Sequence, residues 1–367
     1  MMSKHIVLAC ISLFLVGAPR AAISRAAQPN SPQPRIAIDN VCAWPNLEQL
    51  PNGDVLAFIF NQPCHGTWEG DVECWASNDS GLHWEKRGVP APREPGTNRM
   101  NIAAGLAHNG DLIVIASGYG ERPEPGTPAK GYPTPLPNWV CRSRDGGKSW
   151  THTETVTLPQ GVPALIPYGE VIRRPHGVLV ASFYSSGKFM PAGTPMADRV
   201  DSAFVLTSQD DGKTWGEPRL IGRNQNETAL LPLDNRRWLA ASRTGSAPKT
   251  VLFGSDDDGK AWSNLGPLAE TAQIPAHLLR LADGRLLLTF GSRTNRYWGV
   301  GYRVSQDEGK TWSEPKILVD LGKTTDGGYP SSIQLPDGAI VTAYYSGPSE
   351  LHPRYYLGAA HWRVDTK

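Results

Sequence analysis

Eight side chains stand out among those able to do acid–base chemistry or grip an anion: Glu170, Glu227, His65, His277, Tyr329, Arg99, Arg243 and Arg293. Carboxylates, imidazoles and a phenol can hold and move protons. Guanidinium groups grip a carboxylate through a planar, two-point contact. The eight are scattered along the chain, so their chemistry depends on a fold that returns repeatedly to one place.

Two interleaved repeats predict such a fold. The first reads Ser-x-Asp-x-Gly-x-x-Trp and occurs five times, at Ser77–Trp84, Ser143–Trp150, Ser208–Trp215, Ser255–Trp262 and Ser305–Trp312. This octad is a turn. Its Asp can bond the backbone just ahead, its Gly takes positive φ without steric cost, and its Trp buries a large apolar surface. The second repeat is a polar turn leading into an apolar run, at Asn52-Gly53, Asn109-Gly110, His176-Gly177, Asp234-Asn235, Asp283-Gly284 and Asp337-Gly338. Asn-Gly and Asp-Gly between apolar runs are strong hairpin signals.

Each of these six hairpins except the last is followed by an octad. One unit is therefore strand, hairpin turn, strand, variable loop, strand, octad, strand. That is a four-stranded meander, the blade of a β-propeller. Six units predict an all-β, six-bladed β-propeller of four-stranded meander blades. The sixth unit lacks an octad, so Tyr355–Val364 and Arg35–Val41 are predicted to complete one blade between them.

The meander fixes which end of the propeller is which. Residues seven to ten positions before each hairpin turn start the innermost strand, at the end opposite the turns. Those positions hold Ala43, Trp44, Arg99, Asn101, Tyr168, Glu170, Glu227, His277 and Tyr329. Residues about eight positions after the turn come back to the same end, and include Asn61, Arg243 and Arg293. The loops 62–71, 121–138 and 187–201 lie there too, with the octads at the other end. Ionisable groups converging on one funnel are what a site needs. Trp44, Trp68, Tyr119, Trp139, Tyr168, Tyr184, Trp298 and Tyr345 are candidates to line it, and aromatic faces stack on sugar rings. A glycan, as oligosaccharide or polysaccharide, is the predicted partner.

Bulk properties narrow the class. The chain has 367 residues and a formal net charge of +1, so no nucleic-acid footprint is expected. Residues 1–27 read as a cleaved signal peptide: Lys4, an apolar run from Ile6 to Ala18 too short to span a bilayer, then small residues around Ala26. Residues 28–367 are then one propeller domain, secreted or periplasmic, monomeric, with no transmembrane segment after cleavage. Four cysteines remain, Cys42, Cys64, Cys74 and Cys141, read as structural with their pairing open. No Cys-x-x-Cys or His-x-x-x-His spacing is present, so neither a metal nor a cofactor is predicted.

The octads resemble the Asp-box (BNR) repeat, and from about residue 36 onward the chain resembles the sialidase superfamily. That resemblance implies an exo-acting glycoside hydrolase with a Tyr nucleophile activated by a Glu, an Asp acid/base and three Arg on the substrate carboxylate. Glu227 and Arg243 match the family's Glu and second Arg. Tyr329-Pro330-Ser331-Ser332 resembles the segment carrying the nucleophile. Arg293, Arg296 and Arg303 compete for the third Arg, and the strand-end register favours Arg293. Two positions depart from the pattern. Ala43-Trp44-Pro45-Asn46-Leu47 has Ala43 where the first Arg belongs, and the 61–71 loop has no Asp at the expected place. Arg99 is the candidate replacement for that Arg. His65, Glu69 and Asp71 are the candidates for acid/base, and Glu170 and His277 for contacts to substrate.

The reading is a retaining exo-glycosidase that releases a terminal anionic sugar. Two other functions fit the same residues. A polysaccharide lyase would use His65 or His277 with Tyr329 to abstract the proton α to a uronate carboxylate, with Arg243 and Arg293 neutralising it. A non-catalytic glycan-binding propeller would account for Ala43.

Overall fold

The computed structural model describes residues 35–66, 69–120, 134–191, 193–294, 297–324 and 326–364. The predicted signal peptide, Trp68, most of the 121–138 loop and Arg296 lie outside the described residues. There is no α-helix among the described residues, and no helix long and apolar enough to cross a membrane.

Six antiparallel meanders follow one another along the chain. Their innermost strands are Ala43–Gln49, Asn98–Leu106, Ile166–Arg173, Gln225–Pro232, Gln273–Arg280 and Gly327–Gln334. Each touches the next, and the sixth touches the first. The second and third meanders are joined through a short parallel pairing of Gly169 and Glu170 with Ala103 and Ala104. The sixth blade is completed by the start of the chain: Ile36–Asp39 pairs antiparallel with Tyr356–Trp362. Asp39 fastens that strand by accepting hydrogen bonds from Arg354 and His352.

Six apolar clusters hold the blades together, each filling the space between two neighbours. One of them joins Leu47, Val55 and Ile59 of the first blade to Leu335, Val341 and Tyr345 of the sixth. A second strand therefore has a neighbouring blade on both faces. That is why Val55–Phe60 is buried at every residue and reads as an unbroken apolar run.

The octads form the turns expected of them, with one addition. In Ser143–Trp150 the Asp145 carboxylate accepts from the N–H groups of Lys148 and Ser149, and the Trp150 indole donates to Gly147 O at 2.9 Å. The Ser143 hydroxyl donates to Asp145 and accepts from the Gly147 N–H at 2.8 Å, so it is as much a part of the turn as the Asp. Gly147 sits at φ 96°, directly after a second left-handed residue, Gly146 at 72°. The other four turns repeat this pair of left-handed residues, as in Asp211-Gly212 and Glu308-Gly309. Register places the turns beside the hairpins: Ser77 pairs with Val55 and Ser255 with Trp238. There the octads link blades. Asp211 accepts from the His108 N–H of the preceding blade, and Glu308 takes Arg237 at 2.7 Å.

Candidate active site

At the opposite end, every innermost strand is interrupted. Register shifts fall between Ala43 and Asn46, Arg99 and Ile102, Tyr168 and Val171, Gln225 and Thr228, Gln273 and Ala276, and Gly328 and Ser331. A bulge inserts unpaired residues and re-aims their side chains. Trp44, Glu227 and Tyr329 lie inside these bulges. Trp44 and Tyr329 have φ values of 45° and 51°, a region that costs a bulky L-residue free energy and is held only by surrounding structure. Beside Tyr329 the backbones of blades five and six come very close. A Cβ added to Gly328 would sit 2.7 Å from Gly291 Cα, so the position accepts only glycine.

Three of the predicted residues meet there. The Tyr329 hydroxyl donates to Glu227 Oε1 at 2.5 Å. Arg243 Nη1 donates to the other Glu227 oxygen at 2.7 Å and to the Tyr329 oxygen at 3.1 Å. Tyr329 and Glu227 are buried. Burial, reinforced by the Glu227 charge, pushes the Tyr329 hydroxyl well above its usual range. Burial works against the charge on Arg243, but Glu227 and Tyr329 outweigh it and keep the guanidinium firmly protonated. The Nε of Arg243 is buried with no protein partner among the described residues.

A second group adjoins the first. His65 Nδ1 lies 2.6 Å from Asp326 Oδ2. The other oxygen of Asp326 accepts from Tyr345 at 2.6 Å and from Arg293 Nη2 at 3.0 Å. Asp326 is buried, and burial alone would raise its pKa. The bonds from His65 and Tyr345 and the Arg293 charge reverse that and hold it below the usual carboxylate range. The Arg293 guanidinium lies 5.9 Å from the Tyr329 ring centre, and the Tyr329 and Tyr345 rings are 5.5 Å apart. Trp44 packs among them, edge-on to His65 at 5.1 Å and 6.4 Å from Tyr329.

Asp326 and Tyr345 complete this second group, and sequence reasoning named only the Tyr, as a funnel aromatic. The signal for Asp326 was present: a partly buried Arg at a strand end calls for a counter-ion, and Asp326 stands three residues before Tyr329.

Glu170 and His277 pair with each other at 2.8 Å. With Trp44, Tyr168, Tyr329 and Ser331 they line a cavity reached by all six innermost strands. Glu48 lies on the first of these strands, and burial together with the Glu170 charge pushes its carboxyl up to about 8.

Arg99, Asp71, Glu69 and the aromatic Trp139 are not brought to the cluster. Arg99 is almost fully buried, its guanidinium 3.8 Å over the Trp139 ring and donating to Pro137 O at 2.6 Å. The second blade consumes both side chains, and Trp139 stacks on His152 as well, so neither lines the funnel. Asp71 is bonded to Arg93 at 3.0 Å and to Asn61, and Glu69 also faces Arg93. Both Asp71 oxygens are thus engaged by Arg93, through its backbone N–H and its guanidinium. The four cysteines are buried and unpaired.

Comparison with known proteins agrees with this architecture. Residues 53–342 match the family described as the BNR repeat-like domain. The sialidase of Micromonospora viridifaciens is 25% identical over 347 residues, covering 85% of this chain and 51% of that protein. This chain thus spans about half the length of that relative. A solved protein of unknown function from Dyadobacter fermentans superposes with TM-score 0.73 at 21% identity, covering 92% of this chain and all of that one. The Trypanosoma rangeli sialidase, solved as a covalent intermediate with 2,3-difluorosialic acid, superposes with TM-score 0.65 at 13% identity over 90% of this chain and 56% of that one. At these identities the solved structures establish a common fold, and the family match covers most of the chain: it belongs to the BNR repeat-like family of the sialidase superfamily.

Proposed function

We propose that this protein is an exo-acting, retaining glycoside hydrolase with Tyr329 as nucleophile. The observation that carries the reading is the Tyr329–Glu227 hydrogen bond of 2.5 Å with Arg243 contacting both partners. A phenol held well above its usual pKa does not ionise alone. A carboxylate in short contact can take its proton as the bond to the anomeric carbon forms. A neutral phenol suits an anomeric centre flanked by negative charge, and sialidases are the recorded exception to the two-carboxylate rule.

His65 is the proposed acid/base, with Asp326 as the residue that positions it. A His titrates near neutral pH without special tuning, and Asp326 on Nδ1 orients the ring and leaves Nε2 for the leaving-group oxygen. Arg243 and Arg293 are the proposed contacts for the substrate's anionic group, with Glu170 and His277 lining the adjoining cavity. With Ala43 at the family's first Arg position, the anion grip has two arms rather than three.

Reading residues 1–27 as a signal places this activity outside the cytoplasm. The test is a panel of sialosides, uronides and deoxy-sugar glycosides with product analysis, using the wild type and Tyr329→Phe. Release of a free saturated sugar by the wild type alone is expected. An unsaturated, ultraviolet-absorbing product would mark a lyase instead, and binding without turnover a lectin-like propeller.

A further inference from the structure

We infer that Cys42, His65 and Asp326 form a binding site for one zinc-class divalent ion at the rim of the active-site pocket. The Cys42 sulfur, a His65 ring nitrogen and an Asp326 oxygen lie within 4.8 Å of one another. Tetrahedral zinc with bonds of about 2.0–2.3 Å needs its ligand atoms about 3.3–3.8 Å apart, so modest side-chain shifts close the site. Thiolate, imidazole and carboxylate are the donors this class of ion takes. Spacing in the sequence gives no sign of them, because the three ligands come from the residue just before the first strand of blade one, its variable loop and the entry to blade six.

The surroundings hold the ligands in place. The Cys42 N–H donates to Gln62 O at 2.7 Å, fixing the cysteine against the loop that carries His65. Arg293 and Tyr345 occupy Oδ1 of Asp326, and Oδ2 is turned to His65 with only a long bond from the Tyr355 hydroxyl, at 3.4 Å, beside it. Outer hydrogen bonds of this kind orient ligands and set affinity. Binding displaces the Cys42 thiol proton, so a thiolate and the Asp326 carboxylate face the ion, with Arg293 paired to the far oxygen of that carboxylate. The His65 side chain is 57% exposed, so the ion's path in lies on its side of the site.

The consequence for turnover rests on the proposed acid/base role of His65, whereas binding itself does not. An ion on Nδ1 replaces the Asp326 contact that orients the ring and ties the imidazole to the metal, so the occupied enzyme should be inactive.

Cobalt(II) is the probe, added to the full reduced protein. One equivalent should bind with a near-ultraviolet thiolate-to-cobalt band and the visible bands of a four-coordinate site. Cys42→Ser should abolish the thiolate band, and Cys74→Ser should keep it. His65→Ala, at a mostly exposed position, should weaken binding at least tenfold. Absence of the band, or its survival in Cys42→Ser, overturns the site. Zinc should inhibit the wild type and spare Cys42→Ser. Zinc that binds without inhibiting supports the site and counts against the acid/base role of His65.

Discussion

Tyr329 and Glu227 meet although blade five lies between their strands: the phenol of the sixth blade donates to the carboxylate of the fourth at 2.5 Å, and the two stand 102 residues apart in the chain. Strand bulges at both positions turn the side chains toward each other. If this contact activates a nucleophile, Tyr329→Phe should lower kcat about a thousandfold or more while leaving folding intact. Steady-state kinetics beside a thermal melt checks this. Glu227→Gln should fall in the same range, and the double variant should lose little more, because the two act as one unit.

Asp326→Asn separates positioning from binding. The amide still fills the space between His65, Tyr345 and Arg293 but loses the charge that orients the imidazole. We expect kcat to drop about a hundredfold, KM to change little, and the protonation-dependent limb of the pH–rate profile to move. A KM effect alone would make Asp326 part of the anion grip through Arg293.

Arg99 provides a contrast. Its guanidinium is spent on the Trp139 face and Pro137 O, inside the second blade. Arg99→Met should cost about 2 kcal/mol of stability and leave KM unchanged. A large rise in KM would return Arg99 to the substrate.

Glu48 makes stability depend on pH in an unusual direction. The residue is half-buried, and burial of its carboxyl together with the Glu170 charge is expected to raise it from 4.5 to about 8 in the fold. Below pH 4.5 both folded and unfolded states carry the proton, and there is no penalty. As pH rises from there toward 8 the unfolded state releases the proton and the folded state keeps it, so stability falls, by up to about 1.4 kcal/mol per pH unit. Denaturant unfolding at a series of pH values should show this slope in the wild type and its loss in Glu48→Gln.

The fold was legible because its signals are local. Ser143, Asp145, Gly147 and Trp150 make their contacts within eight residues, and the hairpin turns are shorter still, so repetition alone gives blade count, polarity and the incomplete sixth unit. Glu227, Arg243 and Tyr329 followed from that polarity. The rest depended on distant partners. Asp326 is defined by His65, from a loop 261 residues away, and by Tyr345 and Arg293. Arg99 and Asp71 stand at the right end of their blades, but Trp139 and Arg93 engage them instead. Strand-end register predicts height along the axis. The bulges decide direction, and no residue pattern announces them, since Trp44 and Tyr329 take left-handed conformations that glycine would ordinarily serve.

The most direct test is covalent trapping. A fluorinated glycosyl fluoride of the released sugar should slow breakdown of a glycosyl-enzyme, and peptide mapping by mass spectrometry would locate the adduct. A single sugar on Tyr329, absent from Tyr329→Phe, is the predicted result. An adduct on any other residue, or continued turnover of the parent glycoside by Tyr329→Phe, would contradict it.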